Sequence, residues 1–454
     1  MSATATAALQ QIERVVASMN FVSDAVALAA YSVDGLRPAA AARAATAAEA
    51  AEVLCIAAAE KLAVIACGAR SKLGIGAPPS RYDLALDLSR LDKVIAYDPA
   101  DLTLSVEAGI RLADLQKVLA EQGQFLPFAT PFAKTCTIGG VLAANASGPL
   151  RQFYGSARDF TLGMEFIDGA GTLTKSGGRV VKNVAGMDLH KLLIGSLGTL
   201  GVITKINFKT FPLPRTWGGF VISYVRLVDA LALRAALAAS PLTPQAVEIV
   251  SPEAAPLLDA GGKQLPPARW SVAVAAGGEQ RVVERHAADL ERMAADTRAD
   301  NFAVVKESEK GGLWEAVREF PANLLAANPR TVFWKISAAP GNFAAVIAEA
   351  DRIARENSLP AATLIRAAGI VYLAFLPGEG DAGAMERAER AATQLFARSA
   401  AQGARAVIEW CPLELKRTTS VWGPAGEDFP LMQRMKKVFD PENILAPGRF
   451  VGGL

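Results

Sequence analysis

Histidine is almost missing from this 454-residue chain, which has only His190 and His286. That excludes a three-histidine metal site and leaves few imidazoles for acid–base catalysis. Cysteine is sparse as well. Cys55, Cys67, Cys136 and Cys411 are scattered, with no Cys-x-x-Cys pair. Neither a disulfide framework nor a zinc or iron–sulfur site is indicated. No run of about 18 uninterrupted apolar residues occurs, and the N-terminus lacks a basic segment followed by an apolar one. The expectation is a cytoplasmic protein without a signal peptide or transmembrane segment. Net charge is nearly absent too: 47 Lys+Arg against 45 Asp+Glu leave +2. That argues against nucleic acid and against a polybasic membrane surface. No internal repeat and no low-complexity linker stand out.

What is present is ordinary globular composition, 51% apolar and 20% charged, at a length that suits two or three domains. Thr46-Ala-Ala-Glu49 reads as a capping box opening a helix to about Glu60. An apolar run, Leu62–Cys67, follows as a strand. Strand-like runs lie near 84–88, 94–97 and 102–106. Residues 111–122 read as a helix stopped by Gly123. Further strands fit 161–167 and 201–208. After Pro212–Pro214 the texture changes. Strand runs near 220–225, 246–250, 270–275, 331–336, 364–376 and 404–410 alternate with helices, clearest at 280–297, 344–356 and 384–401. This is the pattern of a separate α+β domain. A helix and a Pro/Gly-pinned tail close the chain.

Three glycine clusters stand out. In Gly68-Ala-Arg-Ser-Lys-Leu-Gly-Ile-Gly-Ala-Pro, glycines follow a strand, and successive backbone N–H groups there could cradle an anion. It is not a Rossmann fingerprint, since Ala-Pro-Pro stands where a helix should open, nor a Walker loop. In Thr135-Cys-Thr-Ile-Gly-Gly, Gly139 and Gly140 precede a helical run whose N-terminus could also bind an anion. The third cluster runs from Gly178 through Lys-Asn-Val-Ala-Gly to Gly195-Ser-Leu-Gly-Thr-Leu-Gly-Val-Ile-Thr204. Taken singly, each reads equally well as a surface turn, a tight loop-to-helix junction or a bulged strand pair.

Their order along the chain is more specific. Strand plus Gly loop, Thr-x-Gly-Gly, Arg151-x-x-Tyr-Gly155, Lys-Asn-Val-Ala-Gly, Gly-Ser-Leu-Gly-Thr-Leu-Gly and a Pro-Gly-Arg tail follow one another. This series resembles the FAD-binding domain of the vanillyl-alcohol oxidase / p-cresol methylhydroxylase (PCMH) superfamily over about residues 30–215 and 420–454. Arg-Val-Val-Lys-Asn-Val-Ala-Gly, Glu-Leu-Lys before Val-Trp-Gly-Pro, and Pro-Gly-Arg-Phe-Val-Gly-Gly resemble the FAD-binding E subunits of bacterial glycolate oxidases within it.

The resemblance implies an α+β fold. A two-subdomain PCMH-type FAD-binding domain would span 1–215 and a ferredoxin-like α+β cap 216–410. Residues 411–454 would return to the FAD domain. It implies that the loop Gly68, Ala69, Arg70, Ser71, Lys72, Gly74 and Gly76 cradles the FAD pyrophosphate. Thr135, Thr137, Gly139 and Gly140 would close the other side. Arg151 and Ser156 would approach the flavin, and Gly195, Gly198, Val202 and Ile203 would line adenine and ribose. Arg449 would near the isoalloxazine, where a cation favours the reduced anion. No histidine lies in the first loop, so FAD attached through a histidine is not expected. His190 reads as variation and His286 as solvated surface of a charged helix.

Catalytic relatives oxidise 2-hydroxy acids with a His-Ala-Gly-Asp-Gly-Asn-x-His motif and a Glu-His pair, which hold a metal and take the hydroxyl proton. Here the corresponding stretches read Ile365-Arg-Ala-Ala-Gly-Ile-Val-Tyr372 and Ile408-Glu-Trp-Cys-Pro412. Glu409 survives and the histidines do not. No metal site is expected. Substitute bases would be Glu409, Lys335 or Lys416, and Arg330, Lys335 and Arg366 are candidate carboxylate binders. Three readings follow. The first is an FAD-bearing glycolate oxidase subunit. It would work beside a catalytic flavoprotein D-type subunit and an iron–sulfur F-type subunit, peripheral to the inner membrane through that complex. The second is a self-sufficient dehydrogenase for glycolate, D-lactate or another small 2-hydroxy acid. The third is an assembly scaffold whose FAD is structural or absent.

Overall fold

The computed structural model describes residues 3–180, 186–259, 264–305, 312–378 and 380–454. The Lys-Asn-Val-Ala-Gly segment of the sequence motif lies outside the described residues up to Gly186.

Two small sheets form the first half. Strands β1 (Phe21–Val22), β2 (Ala40–Arg43), β3 (Val64–Cys67) and β4 (Leu84–Asp87) make a sheet of order β1-β2-β4-β3. The β2–β4 and β4–β3 pairs are parallel, and β1 joins the edge antiparallel. A parallel pair needs a crossover, and the helix Ala47–Ala59 supplies it. Thr46 caps that helix by accepting from Glu49 N at 3.1 Å, while Glu49 accepts from Ala45 N at 2.8 Å. This is close to the capping box read from the sequence. Ile12, Val53, Leu54, Leu84 and Leu86 form the core beneath.

The second sheet is antiparallel, order β5-β6-β10-β8-β9, from β5 (Val94–Asp98), β6 (Thr103–Glu107), β8 (Thr161–Ile167), β9 (Leu173–Gly177) and β10 (Val202–Lys209). A short pair, β7 (Gln124–Phe125) and β11 (Phe211–Pro212), clips onto its end. Helices Leu112–Ala120 and Ile138–Ala143 pack their apolar faces into its core with Phe160, Phe166 and Phe208.

The remaining eight strands make one antiparallel sheet. They are β12 (Thr216–Tyr224), β13 (Ala246–Val250), β14 (Trp270–Gly278), β15 (Asn301–Val305), β16 (Val332–Ser337), β17 (Ala361–Arg366), β18 (Ile370–Phe375) and β19 (Arg405–Trp410). Their order is β15-β12-β14-β13-β17-β18-β16-β19. Each half reads strand–helix–strand–strand–helix–strand, with its fourth strand beside its first, the ferredoxin-like arrangement. The cap is therefore a doubled ferredoxin-like unit, joined where β13 pairs β17. The repeat is structural and was not visible in the sequence. The run read as one strand over 364–376 is two strands, β17 and β18, reversed by a turn at Gly369, whose φ is +99°. Four long helices cover one face of the sheet: Leu227–Ala239, Gln280–Asp296, Phe343–Glu356 and Ala384–Ala401. Helix Leu313–Ala327 and the first half of the chain cover the other. With both faces buried, β13 and β18 are buried along their whole length, as the continuous apolar runs required.

His286 corrects the expectation of a solvated residue. It is 3% exposed, on the inner face of its helix, with Nδ1 2.8 Å from Val282 O. The helix turns this side chain inward although its flanks, Arg285 and Glu284, are charged. No helix among the described residues is long and apolar enough to cross a membrane.

Candidate FAD cleft and adjoining cavity

The two small sheets face each other across a cleft. The end of β3 and the loop behind it, Ala66 to Leu73, form one wall. Ala108, Thr137, Gly139, Gly140, Leu197, Gly198, Val202 and Ile203 form the other. The cleft has two adjoining parts, which share Ala66, Cys67, Gly68, Thr137 and Gly140 in their linings.

The loop wall is an array of donors. Among the described residues, the backbone N–H groups of Gly68, Ala69, Arg70, Ser71 and Lys72 meet no protein acceptor. Five successive amides without partners make an anion nest. Arg70 has φ +62°, the left-handed conformation that lets successive amides converge. Its side chain is drawn aside to the buried Asp87, 3.0 Å away, and lies over the Tyr31 ring. Gly68 has no room for a side chain: a Cβ there would stand 2.3 Å from Thr137 Oγ1. At Gly198, φ is +76° and a Cβ would meet nothing within 4 Å, so this glycine leaves the opposite wall open.

The second glycine pair plays a different part from the one expected. Gly139 N donates to Ala108 O at 2.7 Å and Ile138 N to Ile110 O at 3.0 Å. The amides at the start of this short helix are thus consumed within the protein. Gly139 and Gly140 shape the wall instead, because a Cβ on Gly139 would reach 2.9 Å from Ala108 Cβ. Thr137 caps the helix weakly, 3.4 Å from Gly140 N. Thr135 is exposed in the turn after Phe132 and does not line the cleft. Ser156 is held in a capping box with Asp159, at 2.6 and 2.7 Å, and is likewise outside the cleft lining. Gly195 supports the wall from behind, its N–H on Leu142 O at 3.0 Å.

Gly74 and Gly76 serve through their carbonyls. Lys416 Nζ donates to Gly74 O at 2.7 Å and Gly76 O at 3.1 Å, and contacts both oxygens of Asp34 at 2.9 and 3.0 Å. A lysine so engaged is a structural cation, which corrects its reading as a base. Arg449, 3% exposed, donates through Nη2 to Leu73 O at 2.7 Å and also to Ile75 O. Arg449 is part of the cleft lining, and its Nη1 is buried without a hydrogen-bond partner.

A second cavity adjoins the first, with Lys72 and Ala144 lining both. Burial pulls the Lys72 ammonium below the ordinary lysine pKa, and its Nζ donates to Pro131 O at 3.1 Å. The cap contributes Lys335, Arg366, Tyr372 and Glu409. These four come from β16, β17, β18 and β19, so the sheet is what gathers them. Glu409 is the extra residue of a bulge where β19 pairs β16; a bulge re-aims a side chain, and here Glu409 Oε1 lies 3.3 Å from Lys335 Nζ. Burial alone would lower the Lys335 pKa, but Glu409 and then Tyr372 outweigh it and hold it above the ordinary value. Lys335 is therefore an ammonium at neutral pH, not a base. Arg366 is 3% exposed, paired with Glu248 at 2.6 Å, and donates to Ser147 O and Tyr372 Oη, each at 3.2 Å. Burial lifts the Glu248 carboxyl to about 6 despite Arg366. Arg151 carries no side-chain hydrogen bond among the described residues but acts electrostatically on Lys335. Arg330 does not line this cavity.

No histidine lines either cavity. His190 is buried with Nδ1 3.1 Å from Ser176 Oγ, and burial lowers its pKa. Among the described residues no group of three His, Cys, Asp or Glu could hold a metal.

Comparison with known proteins agrees with this geometry. The sequence pattern of the FAD binding domain matches residues 38–177, and that of the FAD linked oxidases, C-terminal domain, matches 218–405 and 422–450. The chain carries the two domains of the FAD-linked oxidases. FAD is its cofactor. The glycolate oxidase subunit GlcD of Bacillus subtilis is 26% identical over 88% of this chain and 86% of its own. The glycolate oxidase subunit GlcE of Escherichia coli is 39% identical over 34% of this chain and 44% of its own. A D-lactate dehydrogenase of Anaerostipes hadrus is 33% identical over 42% of this chain and 40% of its own. Among solved structures, p-cresol methylhydroxylase superposes with a TM-score of 0.80 at 19% identity, covering 99% of this chain and 97% of that one. That likeness establishes the PCMH-type fold expected from the sequence.

Proposed function

We propose that this FAD-linked oxidoreductase is the flavin-bearing subunit of a glycolate-oxidase-type assembly that oxidises a small 2-hydroxy acid. Its companions would be a catalytic flavoprotein of the D type and an iron–sulfur protein of the F type. FAD is bound without a covalent bond, through the nest Gly68–Lys72, the wall Thr137–Gly140 and the tail Arg449. The observation that carries the reading is a complete, histidine-free donor array opening into a cavity that lacks imidazoles and a metal cluster among the described residues. Such a chain holds a flavin without the proton acceptor its catalytic relatives use. A cytoplasmic location, peripheral to the membrane through the complex, goes with this reading.

A second reading is favoured by the Lys335–Glu409 pair. When bound, FAD supplies a two-electron acceptor for the hydride that leaves a hydroxyl-bearing carbon. Arg366 and Lys335 would then bind the substrate carboxylate, and Glu409 would take the hydroxyl proton. The chain alone would then turn a 2-hydroxy acid into the 2-oxo acid.

One experiment separates them. The purified chain, reconstituted with FAD, is mixed with glycolate or D-lactate under anaerobic conditions from pH 6 to 9. The subunit reading expects no bleaching of the flavin band until the partner subunits are added. Bleaching by the chain alone, lost in Glu409→Gln, overturns it in favour of the second reading. A chain that neither turns yellow nor gains thermal stability with FAD would point to a scaffold.

A further inference from the structure

The loop that presents the five free amides is held by two cations from the far end of the chain, and they divide its carbonyls between them. Leu73 O and Ile75 O accept from Arg449 Nη2, and Gly74 O and Gly76 O accept from Lys416 Nζ. The tail is fitted closely here. Ala77 N and Trp422 Nε1 both donate to Arg449 O at 3.0 Å, and a Cβ on Gly76 would stand 2.8 Å from that same oxygen. Upstream, Gly68 continues from β3, which is fixed by its pairing with β4. The nest Gly68–Lys72 is thus a span pinned at both ends, one by the sheet and the other by residues 411–454. The pinning cations are at least 340 residues from the carbonyls they hold. Lys416 has its charge balanced by Asp34, while Arg449 has no carboxylate partner among the described residues and its Nη1 is buried without a hydrogen bond.

We infer that Lys416 and Arg449 are positioning residues for the cofactor's diphosphate, and that docking of the C-terminal segment and binding of phosphate are coupled. Charge-assisted hydrogen bonds to four successive carbonyls hold the loop, and with it the unpartnered amides that precede them. A diphosphate on those amides in turn favours the docked tail, because a ligand that prefers one state stabilises it. The inference rests on assigning the cleft to FAD, and is independent of the choice between subunit and dehydrogenase.

The test uses the full chain freed of flavin, with FAD and ADP as probes. Asp34→Asn/Lys416→Met removes the balanced charge pair together, so no buried carboxylate is orphaned. Affinities for FAD and ADP should fall by the same factor, about tenfold or more, when both are measured well below the variant's own melting midpoint. Affinities within about twofold of the parent for both probes overturn the inference. So does a loss confined to FAD, which would put the cations on the flavin rather than behind the phosphate loop. If the double variant does not fold, Arg449→Lys keeps the charge but loses the fork and should weaken ADP in the same sense. In the parent protein, ADP should slow amide exchange in 413–418 and 444–454; unchanged exchange there overturns the coupling. Failure of the parent to bind FAD or ADP would instead refute the assignment of the cleft.

Discussion

Gly68→Ala puts the cleft geometry to its most direct test. The new Cβ would stand 2.3 Å from Thr137 Oγ1, 2.9 Å from its Cγ2 and 3.1 Å from its Cβ. Neither wall yields easily. Gly68 follows β3, which pairs along its length with β4, and Thr137, 4% exposed, caps a helix buried in the second core. Overpacking of this kind costs about 1–3 kcal/mol. If the strain is relieved by spreading the two walls, FAD affinity falls by the same amount, roughly 5- to 150-fold. Thr137→Ala removes both close atoms and by itself costs about 1 kcal/mol through the lost cap. The double variant should therefore bind FAD better than Gly68→Ala does, with a coupling energy on the order of 1–2 kcal/mol. The assay is a flavin fluorescence titration of all four proteins at one temperature. Additivity to within about 0.5 kcal/mol would show that Gly68 and Thr137 do not compete for the same space.

Further outcomes follow from the same structure. Gly140→Asp places a carboxylate in the lining shared by both parts of the cleft and should abolish flavin binding; full yellow absorbance in that variant would refute the diphosphate assignment. Acid precipitation should leave the protein colourless and the flavin in solution, because no histidine lines the cleft; flavin retained on the washed pellet would show a covalent bond. The Glu248 carboxyl, raised by burial from 4.5 to about 6, binds its proton more tightly in the folded chain. Stability is therefore lost as pH rises from about 4.5 to 6, by on the order of 2 kcal/mol. Glu248→Gln should flatten that stretch of a denaturation-against-pH profile, and an unchanged slope would remove Glu248 as its cause.

Much of the local structure was legible because it is written in short-range chemistry. The capping box at Thr46, the strand–loop step at Cys67–Gly68 and the helix near 384–401 depend on neighbours a few residues away. The glycine clusters marked the cleft walls for the same reason: close approach excludes a side chain wherever the partner lies. The roles of Thr135, Ser156 and the Gly139 amide were misread. A sequence shows that donors exist, not that Ala108 O already takes one of them. Cap strand β15 and the split of β17 from β18 were missed, since an apolar run does not show where it reverses.

By itself, then, the sequence determined the composition of the cofactor apparatus: a glycine-and-amide loop without a histidine in it, a histidine count too low for a three-histidine metal site, and a glutamate at position 409. The tertiary structure alone decided what those groups meet. Lys416 became a clamp rather than a base because Asp34 and two loop carbonyls surround it. Lys335 became a cation because a bulge turns Glu409 onto it. His286 was buried because its helix presents that face to the sheet, not to water. In each case the part a side chain plays is set by what packs around it in space, and for Lys416 and Lys335 the deciding partners, Asp34 and Glu409, stand tens to hundreds of residues away along the chain.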